Sequence, residues 1–516
     1  MIATTKPLPF DSADLEEMEK VRDVPHINID PKLKKVNRSQ LIIRCIELER
    51  LIPMDHIARA IWDFVGTLDL QAFYNDIKSI NGESGCPSTD PQTLISVWVY
   101  AYTQGISSAR EISRIMRQLF AFQWLSADTD INHHTLSDFR VKNEDTLNDL
   151  FTQILAVLQA EEIISLEQTA HDGTKILAQA GADSFRREET LKKSLDLATQ
   201  RVKEMESAEN TGVNPRSQKA QERAAKEKLS RLEKASEELK KIRAIKDNEK
   251  ERLEARVSLT DPECRNMKQS DAGFAPSYNV QITTEAKNGA IVGVGIVQAG
   301  NDSAELPESM DRVKQQAGEY PEQTLVDGGY TNRPTIIAMA DKGIDMIGSV
   351  SELPKEYNLN KDIAPEFQSK NFIYNPEKDE FVCPPGEVLK YSSTHEEPGR
   401  TTDTYKASFD TCKGCPNKDK CCPKNKTCGR SVSRSTESAV VIAFKEKMKT
   451  EEAKAIYKKR GPIAEFTNAW LKDKLNLRKF RLKGLVKAGM EAMWACITYN
   501  IQILIRINRG KEPAVA

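Results

Sequence analysis

Apolar positions fall into three rhythms along this 516-residue chain. Over residues 39–165 the spacing is helical. In PQTLISVWVYAYTQG, Leu94, Val97, Trp98 and Ala101 share one face, which stops at Gly105. In SSAREISRIMRQLF, Ile112, Ile115, Met116 and Leu119 form the apolar side. Two helices joined by a short Gly-containing turn predict a helix-turn-helix. HHTLSDFR, 133–140, predicts a further helix starting at Thr135, with Asp138 three residues on. Over 185–257 the steps are three and four: Leu195, Ala198, Val202, Met205, then Leu232, Ala235, Leu239, Ile242. Charged residues fill the rest, so this segment predicts an antiparallel coiled-coil hairpin. Over 166–180 and 258–350 the pattern is that of strands. SYNVQITTEA and AIVGVGIVQAG flank a turn at Lys287-Asn288-Gly289, and QTLVDGG and DMIGSV alternate with helical stretches. Strands followed by strand–helix alternation predict a mixed α/β sheet, which the hairpin interrupts after its first strand.

Length and composition add limits. A chain of this size needs two to four domains. The net charge is −1 with 29% charged residues, as in a soluble protein. The longest late apolar run, between Glu491 and Arg506, has 14 residues, too few to span a bilayer. The first twenty residues lack the apolar run of a signal peptide, so a cytoplasmic location with no membrane partner is expected. The domain boundaries expected are an acidic, loosely ordered arm over 1–38 and a helical N-terminal domain over 39–165. An α/β core occupies 166–184 and 258–350, with the hairpin at 185–257. A Cys-rich insertion follows over 351–440, then C-terminal helices over 441–510.

Carboxylates supply the first candidate chemistry. In QTLVDGGYTN, Asp327 ends a short apolar strand and precedes two glycines, where open α/β sheets place ligands. The competing reading is a cap for the helix near Pro334. In QTAHDGTKILAQ, Asp172 is likewise followed by glycine. Glu465 lies on a helix beginning near Pro462, with Phe466, Ala469, Trp470 and Leu477 as packing residues. Three such carboxylates meeting at one point would suit magnesium, and two ions about 4 Å apart can serve phosphoryl transfer. Residues 441–490 contain 14 Lys plus Arg against 5 Asp plus Glu, a patch suited to a polyanion. Arg110, Arg114 and Arg117 are spaced to share a helix face and form a second candidate DNA surface. Asp302 and Glu305 are further acidic groups, read as caps of the helix that follows.

Taken together, HDGTKILA, DPECRNMKQSDAGFAPSYNVQ, TLVDGGYTN and the segment Tyr457–Lys472 resemble a DDE transposase of prokaryotic insertion sequences. The branch is the one with an InsH-type helical N-terminal domain. Tyr457, Arg460, Glu465 and Lys472 are similar to that family's Y-R-E-K signature, with one extra residue between Arg460 and Glu465. The likeness runs over about residues 40–508. It implies an RNase H-like core and a catalytic, metal-binding triad of Asp172, Asp327 and Glu465. The implied cofactor is Mg2+, two ions, with Mn2+ able to substitute. Tyr457, Arg460, Lys472 and Arg478, with Arg110, Arg114 and Arg117, would hold DNA. The implied partners are terminal inverted repeats and target DNA, bound by a homodimer or larger assembly at the nucleoid. A nuclease of the same fold and a non-catalytic DNA-binding derivative are the alternatives.

Six of the ten cysteines fall between 383 and 428. A CxxC pair with flanking thiols fits a structural tetrahedral Zn2+ site. The set expected is Cys383, Cys412, Cys415 and Cys421, with Cys422, Cys428 or His395 as substitutes, in a zinc-ribbon-like insertion.

Overall fold

In a computed structural model, residues 39, 45, 47–75, 77–79, 87–142, 144–207, 215–350, 362–424 and 427–510 are described. The chain divides into residues 1–47 and a unit from Leu48 onward. The arm expected over 1–38 lies outside the described residues.

Helices α1 (Ile57–Val65), α2 (Pro91–Thr103), α3 (Ala109–Ile115), α4 (Phe120–Leu125), α5 (His133–Arg140) and α6 (Glu144–Ala160) form the first part of this unit. Asp90 caps α2 by accepting from Gln92 N, Pro91 sits in its first turn, and Gly105, at φ +68°, ends the turn beyond it. The sequence predicts one buried face for α2, but every residue from Leu94 to Tyr102 is buried. The helix is enclosed on all sides, and Trp98 lies 6.4 Å from Trp494 of the last helix. The helix expected to run on through Leu119 stops at Ile115. Leu119 is extended and serves as the N-cap of α4. In α5 the cap is Asn132, whose side chain accepts from His134 N, so Thr135 lies inside the helix.

The central sheet contains β1 (Gln168–Leu177), β2 (Arg265–Lys268), β3 (Phe274–Glu285), β4 (Ile291–Val297), β5 (Gln323–Val326) and β6 (Asp345–Gly348). β1 pairs antiparallel with β3 on one side and parallel with β5 on the other, and β5 continues parallel to β6. β2 and β4 share the outer edge of β3, opposite its two halves. Gly289, at φ +77°, allows the turn between β3 and β4. Between β1 and β2 the chain leaves through the paired segments Phe185–Arg186 and Val257–Ser258. These open into helices α7 (Glu188–Ser207) and α8 (Pro215–Ala244). Leu191, Ala198, Leu232, Ala235 and Leu239 form their seam, and Arg243 bonds Glu188, which fixes the antiparallel arrangement. Glu238, only 2% exposed, ties the hairpin to Arg265 of β2.

Helix α9 (Leu306–Ala317) covers one face of the sheet, where Gly293 and Gly295 leave room for Val313 and Arg312. Helix α10 (Arg333–Asp341) follows β5. After β6 comes a second, antiparallel sheet: β7 (Ile373–Asn375), β8 (Glu380–Val382), β9 (Val388–Glu397), β10 (Arg400–Lys406) and β11 (Ser431–Glu437). Its core is Phe372, Phe381, Leu389, Tyr405 and Val432, with Cys383, Cys412 and Cys421 against it. Helices α11 (Ala439–Lys449), α12 (Glu451–Tyr457), α13 (Arg460–Asp473) and α14 (Leu485–Asn508) complete the chain. α12 and α13 pack on the other face of the central sheet through Ala453, Ile463 and Ala464 against Ala170, Leu325 and Ile347. α14 is buried along most of its length, and Asn500 bonds both backbone groups of Ile291 at the start of β4. Among the described residues no helix is long and apolar enough to cross a membrane.

Candidate active site

Strand pairing brings the first two carboxylates together. Gln168, Thr169 and Ala170 stand opposite Gln323, Thr324 and Leu325. Carried two residues further, that register leads Asp172 towards Asp327, just past the end of β5, and the Asp327 charge acts on the Asp172 carboxyl. Side chains alternate between sheet faces, so Asp172 shares the face of Ala170, and Asp327 that of Leu325. That is the face covered by α12 and α13. Asp172 lies inside β1, a strand that begins four residues before it, whereas Asp327 follows the last residue of β5. Asp327 does not cap α10. Its Oδ1 accepts from Gly329 N at 2.8 Å, and Asn332 caps the helix by accepting from Thr335 N.

Helix α13 supplies the remainder. Glu465, Asn468 and Lys472 recur at i, i+3 and i+7 and so lie along one stripe. Asn468 Nδ2 donates to Asp172 Oδ2 at 3.0 Å, which fixes that stripe against the aspartate. Gly173 N donates to the other oxygen, Oδ1, also at 3.0 Å. Burial pushes the Asp172 carboxyl up to about 6; the charge of Arg460 opposes this, and those of Asp327 and Asp302 add to it. Burial and the neighbouring Arg478 hold the Lys472 ammonium below its usual range, against the pull of Asp172. Glu465 itself is exposed, and Tyr457 packs partly buried against the apolar cluster under α12. Among the described residues, Arg460 Nη1 and Asn468 Oδ1 are buried without a hydrogen-bond partner.

A polar layer supports the pair from the opposite face. His171 is fully buried, with Nδ1 2.9 Å from Thr283 Oγ1 and Nε2 2.9 Å from Gln281 Oε1. Burial pushes its imidazole down to about 4, so it is neutral at ordinary pH. Tyr330 donates to the same Gln281 oxygen at 2.9 Å. Asp302, expected as a helix cap, accepts instead from Asn279 Nδ2 at 2.5 Å and Gln281 Nε2 at 2.8 Å. Glu305 occupies the N-cap position of α9, but its side chain makes no capping bond. Of this layer the sequence marks only Asp302, in a different role, and His171, Gln281, Thr283 and Tyr330 carry no signal; for Asn468 the i+3 spacing from Glu465 is the signal.

The segment after α13 returns alongside β1. Leu177 N donates to Arg478 O and Phe480 N to Leu177 O, which places Arg478 at the end of the strand that carries Asp172. Arg478 also pairs with Asp473. Arg110 and Arg114 are exposed on α3, whereas Arg117 lies beyond its end and is held by Asp130, so the three do not form one helix stripe.

The cysteines gather separately. Cys383, Cys412, Cys415, Cys421 and Cys422 line a cavity of about 30 Å³. Glu387 N donates to Cys383 Sγ and Arg430 N to Cys412 Sγ, each at 3.3 Å. Burial raises the Cys421 thiol to about 11. His395 stands exposed towards the far end of β9, beside Glu397, and Cys428 is exposed, so neither belongs to this group. Among the described residues, no three His, Cys, Asp or Glu side chains stand arranged to hold a metal ion, either here or at the aspartate pair.

Two protein families match the chain. One, described as "Transposase DDE domain", matches residues 382–505, and the other, "Transposase domain (DUF772)", matches 46–142. Together they support a DDE-type transposase. They support the insertion-sequence kind of such enzymes. The first match covers Glu465 but neither aspartate, and the second covers the α3 arginines. No curated protein matches. Among solved structures, a piggyBac transposase synaptic complex with hairpin DNA is similar at 10% identity and a TM-score of 0.28, over 90% of this chain and 76% of that one. That likeness carries no weight for function.

Proposed function

We propose that the chain is a DNA transposase that binds the terminal inverted repeats of its own insertion element and catalyses metal-dependent strand cleavage and strand transfer. The observation that supports this reading is the β1–β5 pairing that runs towards Asp172 and Asp327, together with the bond from Asn468, on the Glu465 stripe of α13, to Asp172. The central sheet, an antiparallel β4-β3-β1 followed by parallel β5 and β6, is read as an RNase H-like core.

Asp172, Asp327 and Glu465 fit a hard divalent cation in their chemistry, since all three are carboxylates and the charge of Asp327 acts on Asp172. Mg2+ or Mn2+ bound there would polarise the scissile phosphate and sharpen the attacking oxygen. Asn468 and Gly173 orient the two oxygens of Asp172. Arg460 and Lys472, cations beside Asp172, would neutralise DNA phosphates, and Arg478 would extend that path along the end of β1. Tyr457 is proposed to line the same path. In the first step a water oxygen attacks phosphorus at the element's end. The P–O3′ bond breaks, and the 3′ oxygen leaves and takes up a proton. That hydroxyl then attacks a target phosphodiester and displaces the target's own 3′ oxygen, so one phosphodiester replaces another without a covalent enzyme intermediate. Synapsis of two ends would require at least a dimer on DNA, acting at the nucleoid.

Arg110 and Arg114 are proposed as a separate DNA contact, with Arg117 available only on leaving Asp130. The cysteine module is read as a structural Zn2+ site of Cys383, Cys412, Cys415 and Cys421, with Cys422 as the substitute.

The test is a binding and a cleavage assay on one labelled terminal-repeat duplex. Asp172→Asn, Asp327→Asn and Glu465→Gln keep shape but remove charge. Each is expected to retain binding while losing cleavage and strand transfer by roughly 10³-fold or more. Near-normal cleavage by any one removes that residue from the triad, and by all three removes the mechanism.

A further inference from the structure

Asn468 is assigned no role by the signature residues around it, yet its side chain donates directly from α13 to Asp172. Its position on the helix is fixed. Ile463, Ala464, Thr467 and Leu471 are buried and seat α13 on the sheet, and Asn468 lies on the adjoining stripe with Glu465 and Lys472. Its Nδ2 donates to Asp172 Oδ2 while its Oδ1 is buried without a partner among the described residues. Buried polar atoms are nearly always paired, so an amide with one unpaired end is a poor choice for packing a helix on a sheet. An apolar residue of the same size would pack as well and leave no orphan oxygen. The amide also differs from a carboxylate in a way that matters here. It offers a donor to Asp172, and it adds no negative charge to a face that already carries Asp172 and Asp327.

We propose that Asn468 is a positioning residue of the catalytic centre, which holds the Asp172 carboxylate in the orientation required for binding a divalent cation. The inference rests on the reading of Asp172, Asp327 and Glu465 as the catalytic carboxylates. Gly173 N fixes Oδ1 and Asn468 fixes Oδ2, so the carboxylate is clamped at both oxygens, one by its own strand and one by the helix that carries Glu465. The spacing between Asp172 and Glu465 is then set through a hydrogen bond. Groups that orient metal ligands from behind typically affect metal affinity by about 10–100-fold.

The test uses the full-length chain and Mn2+ as the probe, with binding followed by electron paramagnetic resonance without DNA. Asn468→Leu removes the donor at similar volume. It is expected to weaken Mn2+ binding by about 10–100-fold. The Mg2+ concentration for half-maximal cleavage should rise by a similar factor, with gel-shift affinity for terminal-repeat DNA unchanged. Asn468→Asp, which replaces the donor by a charged acceptor, is expected to lose cleavage at every Mg2+ concentration. Asn468→Ser, too short to reach Asp172, gives the same metal readout if the leucine variant does not fold. A role confined to packing would lower thermal stability and leave Mn2+ affinity unmoved; that result overturns the inference. Asp172→Asn is run in parallel. If it is inactive while Asn468→Leu binds Mn2+ normally, only the role of Asn468 fails. If Asp172→Asn cleaves normally, the carboxylate reading itself has failed.

Discussion

Gly173 shows how closely single atoms are fitted around the aspartate pair. A Cβ there would overlap Asp302 Oδ1 and stand 2.6 Å from Gln281 Nε2. Both atoms belong to the polar layer that backs Asp172, and neither can retreat without losing a buried hydrogen bond. Gly173→Ala is therefore expected to destabilise the fold by about 1–3 kcal/mol, through overpacking. Urea unfolding with tryptophan fluorescence measures it, and an unchanged midpoint would mean that the layer has slack. At this scale the sequence is legible where the signal is local. Asp172 and Asp327 each stand before glycine, and that marks them. Asp302 is not legible, because its partners Asn279 and Gln281 lie more than twenty residues upstream, on β3. Nothing in QAGNDSAELPE distinguishes a cap from a strut.

Among the elements, α7 and α8 follow directly from apolar steps of three and four, since a two-helix seam is set by local spacing. β3 to β6 are equally plain from their β-branched runs and turns. The second sheet is not. β9 has Leu389 as its only buried residue, and the rest of the strand is exposed, so no alternation marks it. The cysteines gave the only signal for that region, and they cluster about its apolar core. Met116 and Leu119 keep helical spacing past the point where the backbone opens, so the pattern alone overruns the end of α3. The cysteine module carries its own prediction. Protein purified in metal-free buffer is expected to hold about one equivalent of zinc per chain, and Cys412→Ser to lose it. Elemental analysis checks this; absence of zinc together with freely titrating thiols would return the cysteines to an ordinary reduced state.

Across the whole molecule, the candidate site draws on three distant parts of the chain. Asp172 and Asp327 lie on two strands separated by the helical hairpin, and α13 arrives only after the second sheet. Parallel pairing of β1 with β5 runs up to Ala170 and Leu325, two residues short of the aspartates, and Ile463 and Ala464 pack α13 against those same two residues. These three segments are proposed to hold the divalent cations jointly. Iron-directed cleavage of the polypeptide tests this directly. Fe2+ replaces Mg2+ in the full-length protein, ascorbate and peroxide generate radicals at the bound iron, and the backbone is cut next to its ligands. Fragments ending near residues 172, 327 and 465 should appear together and fade as Mg2+ is added. Scattered cutting, or cutting near only one of the three that Mg2+ does not suppress, would contradict a shared metal site.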